Sequence, residues 1–513
     1  MAMGAQNGGG APAEWRVTVP EGSSVTVEHE SSGGAAAARA WAWLVACVVA
    51  VWEKVAGIGR RVWRVGADDP RRAVHGLKVG LALALVSVFY YTRPLYDGVG
   101  GAAMWSVMTV VVVFEYTVGG CVYKGFNRAA ATASAGLLAL GVHWVASKSG
   151  DSFEPFIRSG SVFLLAAMAT FSRFIPTVKS RFDYGVTIFI LTYSLVAVSG
   201  YRVDALVAMA QQRVSTIAIG VSICLAVCVL ICPVWAGQEL HRLTARNMET
   251  LAAAVEACVE DYFAAVDAAD ATSGGDTPRR SAATAVAAEG YKCVLNSKAA
   301  EEAQANLARW EPAHGRFGFR HPYAQYKSVG AAMRHCAYCV EALSGCARSS
   351  AEPHAPARAR RHLAGACTRV AAQCARVLRE ASGSVAAMTA ASRSLDLAVA
   401  EMNAAVQELQ DDLRALPADL LLLAEAAPAP APAAGVPLMD AARLFTVASL
   451  LVEVSARVVG VVDAVDTLAS LAGFRSADDE EKPAESTAKV QSVIVPDSLE
   501  LGEIRKVKAL EQA

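Results

Sequence analysis

Arg173, Lys179 and Arg181 stand together in the stretch 171–185, FSRFIPTVKSRFDYG. The flanking runs 159–170 and 186–199 are apolar enough for the bodies of membrane helices. Fixed positive charge at the edge of a hydrocarbon layer attracts anions, and such charge is costly unless it reaches water or a partner. A plainer reading is orientation alone, with Arg and Lys marking a cytoplasmic loop. Both readings stay open for each of the three.

Other polar residues fall inside apolar runs. Lys78 and Arg213 sit near the ends of theirs, where a long side chain snorkels to the interface. Glu115 is harder to dismiss: a carboxylate there pairs with an Arg or Lys and fixes helix positions, or else couples protons. His314, His321 and Glu311 lie in a Pro- and Gly-rich loop, WEPAHGRFGFRHPY, without the fixed spacing of a metal-binding helix, and read as a packed corner. Cys336 and Cys339, with His335, lack a second ligand pair and read as buried thiols on a helix turn. Neither a metal nor a cofactor is expected. Cys224, Cys228 and Cys232 fall at i, i+4, i+8 on one apolar helix, as packing residues in a reduced setting.

These residues need a membrane around them and a helical body below. The 513 residues are 54% hydrophobic, with mean hydropathy +0.33, too apolar for an ordinary soluble protein. At 19% charged they are too polar for a wholly embedded one. The sequence therefore predicts an all-α chain: a six-span transmembrane domain followed by a cytosolic α-helical bundle. Net charge of -1, without a basic stripe interleaved with aromatics, excludes a nucleic-acid reading.

The boundaries expected are 1–59, a tail and an interfacial amphipathic helix; 60–238, the membrane domain; 239–474, the cytosolic domain; and 475–513, a mobile acidic tail. Residues 1–34 lack the pattern of a signal peptide. The apolar stretch 35–51, with Trp41, Trp43 and Trp52 and followed by Arg60, Arg61 and Arg64, suits a helix lying in the lipid interface. Spans are expected near 73–91, 101–119, 128–146, 157–175, 184–200 and 213–233, the last running on into a cytosolic helix whose stripe is Leu243, Asn247, Leu251, Val255, Cys258 and Tyr262. Lys124 and Arg128 then fall between spans two and three, and the cation bias of alternate loops places both termini in the cytosol. Helical spacing resumes over 289–309, and further helices are expected at 324–348, 358–381 and 391–416. Leu395, Val399, Met402, Val406, Leu409, Leu413 and Leu416 form a coiled-coil-like seam, for a second subunit or for a final helix whose seam runs from Val447 to Leu468.

The strings DDPRRAVHGLKVGLALALVSVFYY, AMWSVMTVVVVFEYTVGG, KGFNR, SRFIPTVKSRFDYG, GYR, RVSTIAIG, PVWAGQELH and WEPAHGRFGFRHPY, in this order, resemble those of the plant aluminium-activated malate transporter family. The resemblance covers about 68–350 well and the remaining helices loosely. It implies an anion channel, not an enzyme, passing malate and inorganic anions such as chloride, nitrate and sulfate by electrodiffusion. It also implies a homodimer in membrane lipid whose pore is lined from both subunits. Carried over, the positive pore positions are Lys78, Lys179, Arg181, Arg202 and Arg213, with Lys124, Arg128 and Arg173 as vestibule neighbours. The signature loop is Trp310, Glu311 and Pro312, where the family associates change with loss of transport; this chain has HPY where HPW is usual. Family members occur in the plasma membrane and the vacuolar membrane, and the plasma membrane is the expectation here. The alternatives are a coupled malate carrier, with Glu115 as the obvious intramembrane titrating group, and a membrane-tethered helical scaffold.

Overall fold

The computed structural model describes residues 32–92, 103–150, 152–199, 206–270, 286–318, 320–348, 357–390, 392–425 and 442–475. Arg202, the tails 1–31 and 476–513 and the linker at 427–437 lie outside them. The described chain is all-α. It divides into two bodies, Met1–Leu77 and Lys78–Ala513.

The first body carries α1 (Ser32–Asp68), 37 residues long, and the opening of α2 (Pro70–Tyr91). Asp69 separates the two helices, and its Oδ1 accepts from the Arg71 amide at 3.2 Å. Pro70 follows as the first helical residue, where its missing N–H is no loss.

The second body begins with the rest of α2 and continues through α3 (Ala103–Val113), α4 (Val118–Lys148), α5 (Glu154–Ser172), α6 (Pro176–Ser199) and α7 (Leu206–Leu230). Helix α4 is central, packing on α6, α7 and α5. One small core joins Ala82, Val86, Val110, Cys121, Cys224 and Cys228, and a second joins Ala135, Ala139, Tyr193 and Val196. Many large apolar side chains stay exposed on these helices, among them Leu137, Phe163, Phe171 and Leu230. An exposed apolar surface of this kind suits a lipid surround.

Three expectations about the spans change. Helix α3 ends at Val113, short of 119, and Glu115 lies in the break that follows. Helix α4 starts ten residues earlier than expected, because Thr117 caps it: the Gly120 amide donates to Thr117 Oγ1 at 3.2 Å. Lys124 and Arg128 are therefore helical residues rather than loop residues. The last span does not run on into the bundle, since Cys232 takes a left-handed φ of 43° and Pro233 follows it. Cys232 thus leaves the helical face that Cys224 and Cys228 share.

Among the described residues, by length and composition alone, six helical stretches are apolar enough to cross a membrane: Ala40–Asp68, Val118–Lys148, Glu154–Ser172, Pro176–Val198, Gln211–Leu230 and Ala442–Ala472. This is not the expected six. α2 carries Arg71, Arg72 and Lys78 in its first half, and α3 is short. The last of the six is a core helix of the bundle, with Leu444, Val447, Leu451, Val454, Val458 and Val461 buried.

The bundle comprises α8 (Ala236–Asp270), α9 (Tyr291–Asn296), α10 (Lys298–Ala308), α11 (Tyr323–Arg348), α12 (Ala357–Ala387), α13 (Arg393–Glu425) and α14 (Ala442–Ala472). Its core is one continuous cluster. On α8 the stripe includes Leu240, Met248, Leu251, Val255, Cys258 and Tyr262. The 289–309 segment is two helices, broken at Ser297. Leu395, Met402, Leu409 and Leu416 bury their seam within the same chain, chiefly against α12, while α14 packs mainly on α11 and α12. Cys336 is buried and Cys339 half-buried on α11, and among the described residues no group of His, Cys, Asp and Glu is placed to hold a metal.

Candidate anion path and its junction with the bundle

Arg128 projects from α4 and is buried, its Nε donating to Thr109 Oγ1 of α3 at 3.2 Å and one terminal nitrogen to the Tyr184 hydroxyl at 3.5 Å. Arg213, on α7, lays its guanidinium 3.9 Å from the centroid of the Trp105 ring. Both line one small crevice with Trp105, Thr132 and Thr192. Its volume is about 20 Å³, room for about one water. Two of its polar atoms, Arg213 Nε and Thr132 Oγ1, are buried without a hydrogen-bond partner. No carboxylate is among its lining residues. Two guanidiniums facing a small crevice with unpartnered polar atoms and no carboxylate in its lining make a place where an anion is stabilised and a cation repelled.

The other positions divide into paired and free. Lys78 is 3% exposed and donates from Nζ to the Cys232 carbonyl at 2.7 Å, so it ties α2 to the kink after α7. Glu115 forms an ion pair with Lys124, whose ammonium also stands 5.8 Å from the Tyr184 ring centroid. Arg173 holds Asp183 through two parallel bonds, 2.7 and 3.1 Å, closing the turn between α5 and α6. Sequence reasoning passed over Asp183, although a carboxylate ten residues from Arg173 across a proline break was the available signal. Lys179 and Arg181 are exposed. Arg181 lines a cleft of about 580 Å³ with Arg309, Asn306 and Trp310, between α6 and α10.

The signature loop is a junction. The buried Glu311 carboxylate accepts from the Gly119 amide at 3.1 Å, the Ala236 amide at 2.5 Å and the Gly237 amide at 3.0 Å. One side chain thereby caps the N-termini of α4, which enters the membrane domain, and of α8, which opens the bundle. Close approach requires glycine at both ends. A Cβ on Gly119 would stand 3.0 Å from Glu311 Cγ, and one on Gly237 would stand 2.6 Å from the Tyr323 hydroxyl. Burial pushes the Glu311 carboxyl up, and the three amides offset only part of that rise.

Aromatic packing holds the loop. Trp310 rests on Tyr123 and Phe126 of α4, with centroids 5.6 and 5.3 Å apart, and His314 stacks on Trp235 at 3.9 Å. The Tyr326 hydroxyl lies between His241 Nδ1, at 2.9 Å, and His321 Nε2, at 3.0 Å. Burial lowers both imidazoles, His321 to about 4, so both are neutral near pH 7. The histidines serve packing and hydrogen bonding here.

The model of the family described as "Aluminium activated malate transporter" matches residues 63–431. The chain is 52% identical over 372 residues to aluminum-activated malate transporter 10 of Arabidopsis thaliana, covering 70% of this chain and 72% of that one. It is 52% identical over 292 residues to aluminum-activated malate transporter 2 of the same plant, 57% of each chain. It is 47% identical over 313 residues to aluminum-activated malate transporter 1 of Triticum aestivum, 60% of this chain and 66% of that one.

Proposed function

Because the chain belongs to the aluminium-activated malate transporter family, whose members are transporters and not enzymes, we propose that it passes malate and inorganic anions across a plant membrane by electrodiffusion. The observation that carries this reading is the pair Arg128 and Arg213 in a crevice without a carboxylate. A dicarboxylate entering a bilayer sheds part of its hydration shell, and guanidiniums replace that solvation. Passage also requires weak binding at successive places. Lys179 and Arg181 at the cytosolic edge gather the anion, and Arg128 and Arg213 receive it. A homodimer doubles each cation, and the crevice widens into a path where the second subunit completes it. Both termini face the cytosol, and the plasma membrane is the proposed site.

Recording in excised patches with malate, chloride, nitrate and sulfate exchanged in turn tests this directly. Reversal potentials should follow the anion gradients and ignore the pH gradient, whereas a coupled carrier would track both. Arg213→Gln and Arg128→Gln should each lower malate current by roughly tenfold or more at matched surface expression. Parent-level current in both variants sinks the assignment.

A further inference from the structure

Helix α1 is unlike the other apolar helices: no part of its apolar window is buried, and residues 40–62 precede the family match, which begins at 63. With about 3.6 residues per turn, Trp41, Val45, Val48, Trp52, Val55 and Val62 stack along one face. Trp63, Leu44 and Val49 widen that face. Glu53, Lys54, Arg60, Arg61, Arg64 and Asp68 fall within an arc of roughly 120° on the opposite side. Between the charges that arc carries Ala42, Ala46, Ala50 and Gly57, with Trp43 the one large apolar residue on it. The apolar side chains are open, Trp41 at 69% and Trp63 at 79% exposed.

Such segregation is wrong for a span. A spanning helix is apolar all round, and this one would put Glu53 and Lys54 into hydrocarbon. The 29 residues Ala40–Asp68 measure about 43 Å, well beyond a hydrocarbon core of about 30 Å. Long amphipathic helices with tryptophan on the apolar face and Arg/Lys on the polar face lie in the plane of the interface. The cations outnumber the acids on the polar arc, Lys54, Arg60, Arg61 and Arg64 against Glu53 and Asp68, and three of the four gather within one turn or so at 60–64. That charge complements an anionic leaflet.

We infer that α1 is a membrane-surface helix that reads anionic lipid headgroups, its tryptophan stripe set among the acyl chains and Arg60, Arg61 and Arg64 among phosphates and carboxylates. The inference rests on the membrane setting of the family and not on conduction, so its test reads labelling rather than current. Full-length protein carrying Val48→Cys, Val55→Cys or Val62→Cys on one face, or Ala46→Cys, Ala50→Cys or Gly57→Cys on the other, is reconstituted in phosphatidylcholine with or without phosphatidylserine. A membrane-impermeant maleimide is then applied and read residue by residue by peptide mass spectrometry, so native thiols do not interfere. The polar-face cysteines should label along the whole helix in both lipids. The apolar-face cysteines should label roughly tenfold more slowly with phosphatidylserine than without. Arg60→Gln/Arg61→Gln/Arg64→Gln should abolish that difference. Protection that follows depth along the axis rather than face would mean that α1 spans. Protection equal in both lipids and retained in detergent would mean that a second copy covers the apolar face. Either result overturns the inference.

Discussion

The membrane helices and the bundle that follows them treat some of their cations differently. In the bundle, Arg334 meets Glu301 at 2.7 Å, Arg379 meets Glu256, Arg376 meets Glu401 and Arg369 meets Glu408. In the membrane half some cations are also tied, Arg173 to Asp183 and Lys124 to Glu115, but among the described residues Arg128 and Arg213 meet hydroxyls and an aromatic face rather than a carboxylate. A buried or half-buried cation lacking a fixed counter-ion is destabilised until a mobile one arrives, and that is what would separate the proposed transport path from a structural brace.

Breaking a brace should therefore hurt stability, and breaking the path should hurt current. Arg334→Met leaves Glu301 buried with only Ser297 beside it, which should cost about 3–5 kcal/mol. Thermal unfolding of the full chain in detergent measures this, and Glu301→Leu added to Arg334→Met should recover most of the loss. A loss under about 1 kcal/mol would make the bundle's buried pair no different from its surface ones.

The seam between the halves comes next. Glu311→Gln leaves the amides of Gly119, Ala236 and Gly237 a single neutral oxygen, a cost of about 1–3 kcal/mol. Fluorescence-detected size exclusion on heating should show the drop, and surviving protein should carry reduced current. Full stability with full current would detach the junction from both halves.

Acid should act at the same place. His321 and His241 are held neutral, so between about pH 6 and 4 the unfolded chain binds more protons and stability falls as pH falls. One such proton, about 1.4 kcal/mol per pH unit, amounts to about 3–5 °C of Tm per pH unit for a domain of this size. His321→Gln should flatten the slope, and an unchanged slope would remove the imidazole from the account. The smallest effect belongs to the exposed pair: Lys179→Gln/Arg181→Gln should lower malate current more than chloride current, and added salt should blunt the difference. Equal loss for both anions would reduce the pair to orientation.

Much of the helical plan is legible because periodicity is local. The seams at 395–416 and 447–468 read correctly as buried stripes, and 324–348 matches α11 closely. Local charge, however, misplaced the start of α4. Lys124 and Arg128 look like loop residues until Thr117 is seen to cap the helix and Thr109 and Tyr184 to receive the guanidinium. Glu301 is hidden for the opposite reason, since nothing in AEEAQ distinguishes a buried carboxylate from the exposed one beside it. Glu311 reads as a loop residue because its partners lie 74, 75 and 192 positions away. Paired capping of two helices is a fact of packing, not of spacing.

That shared cap has a mechanical consequence. The three hydrogen bonds from backbone amides to Glu311 hang on one side chain, so a single carboxylate ties both helix ends. Beside them the Val118 amide donates to the Val234 carbonyl at 2.9 Å. The junction thus gives α8 a direct hydrogen-bonded route to α4, and without the carboxylate the positive ends of two helix dipoles would lose their shared counter-charge. Arg128 rides on the helix so tied.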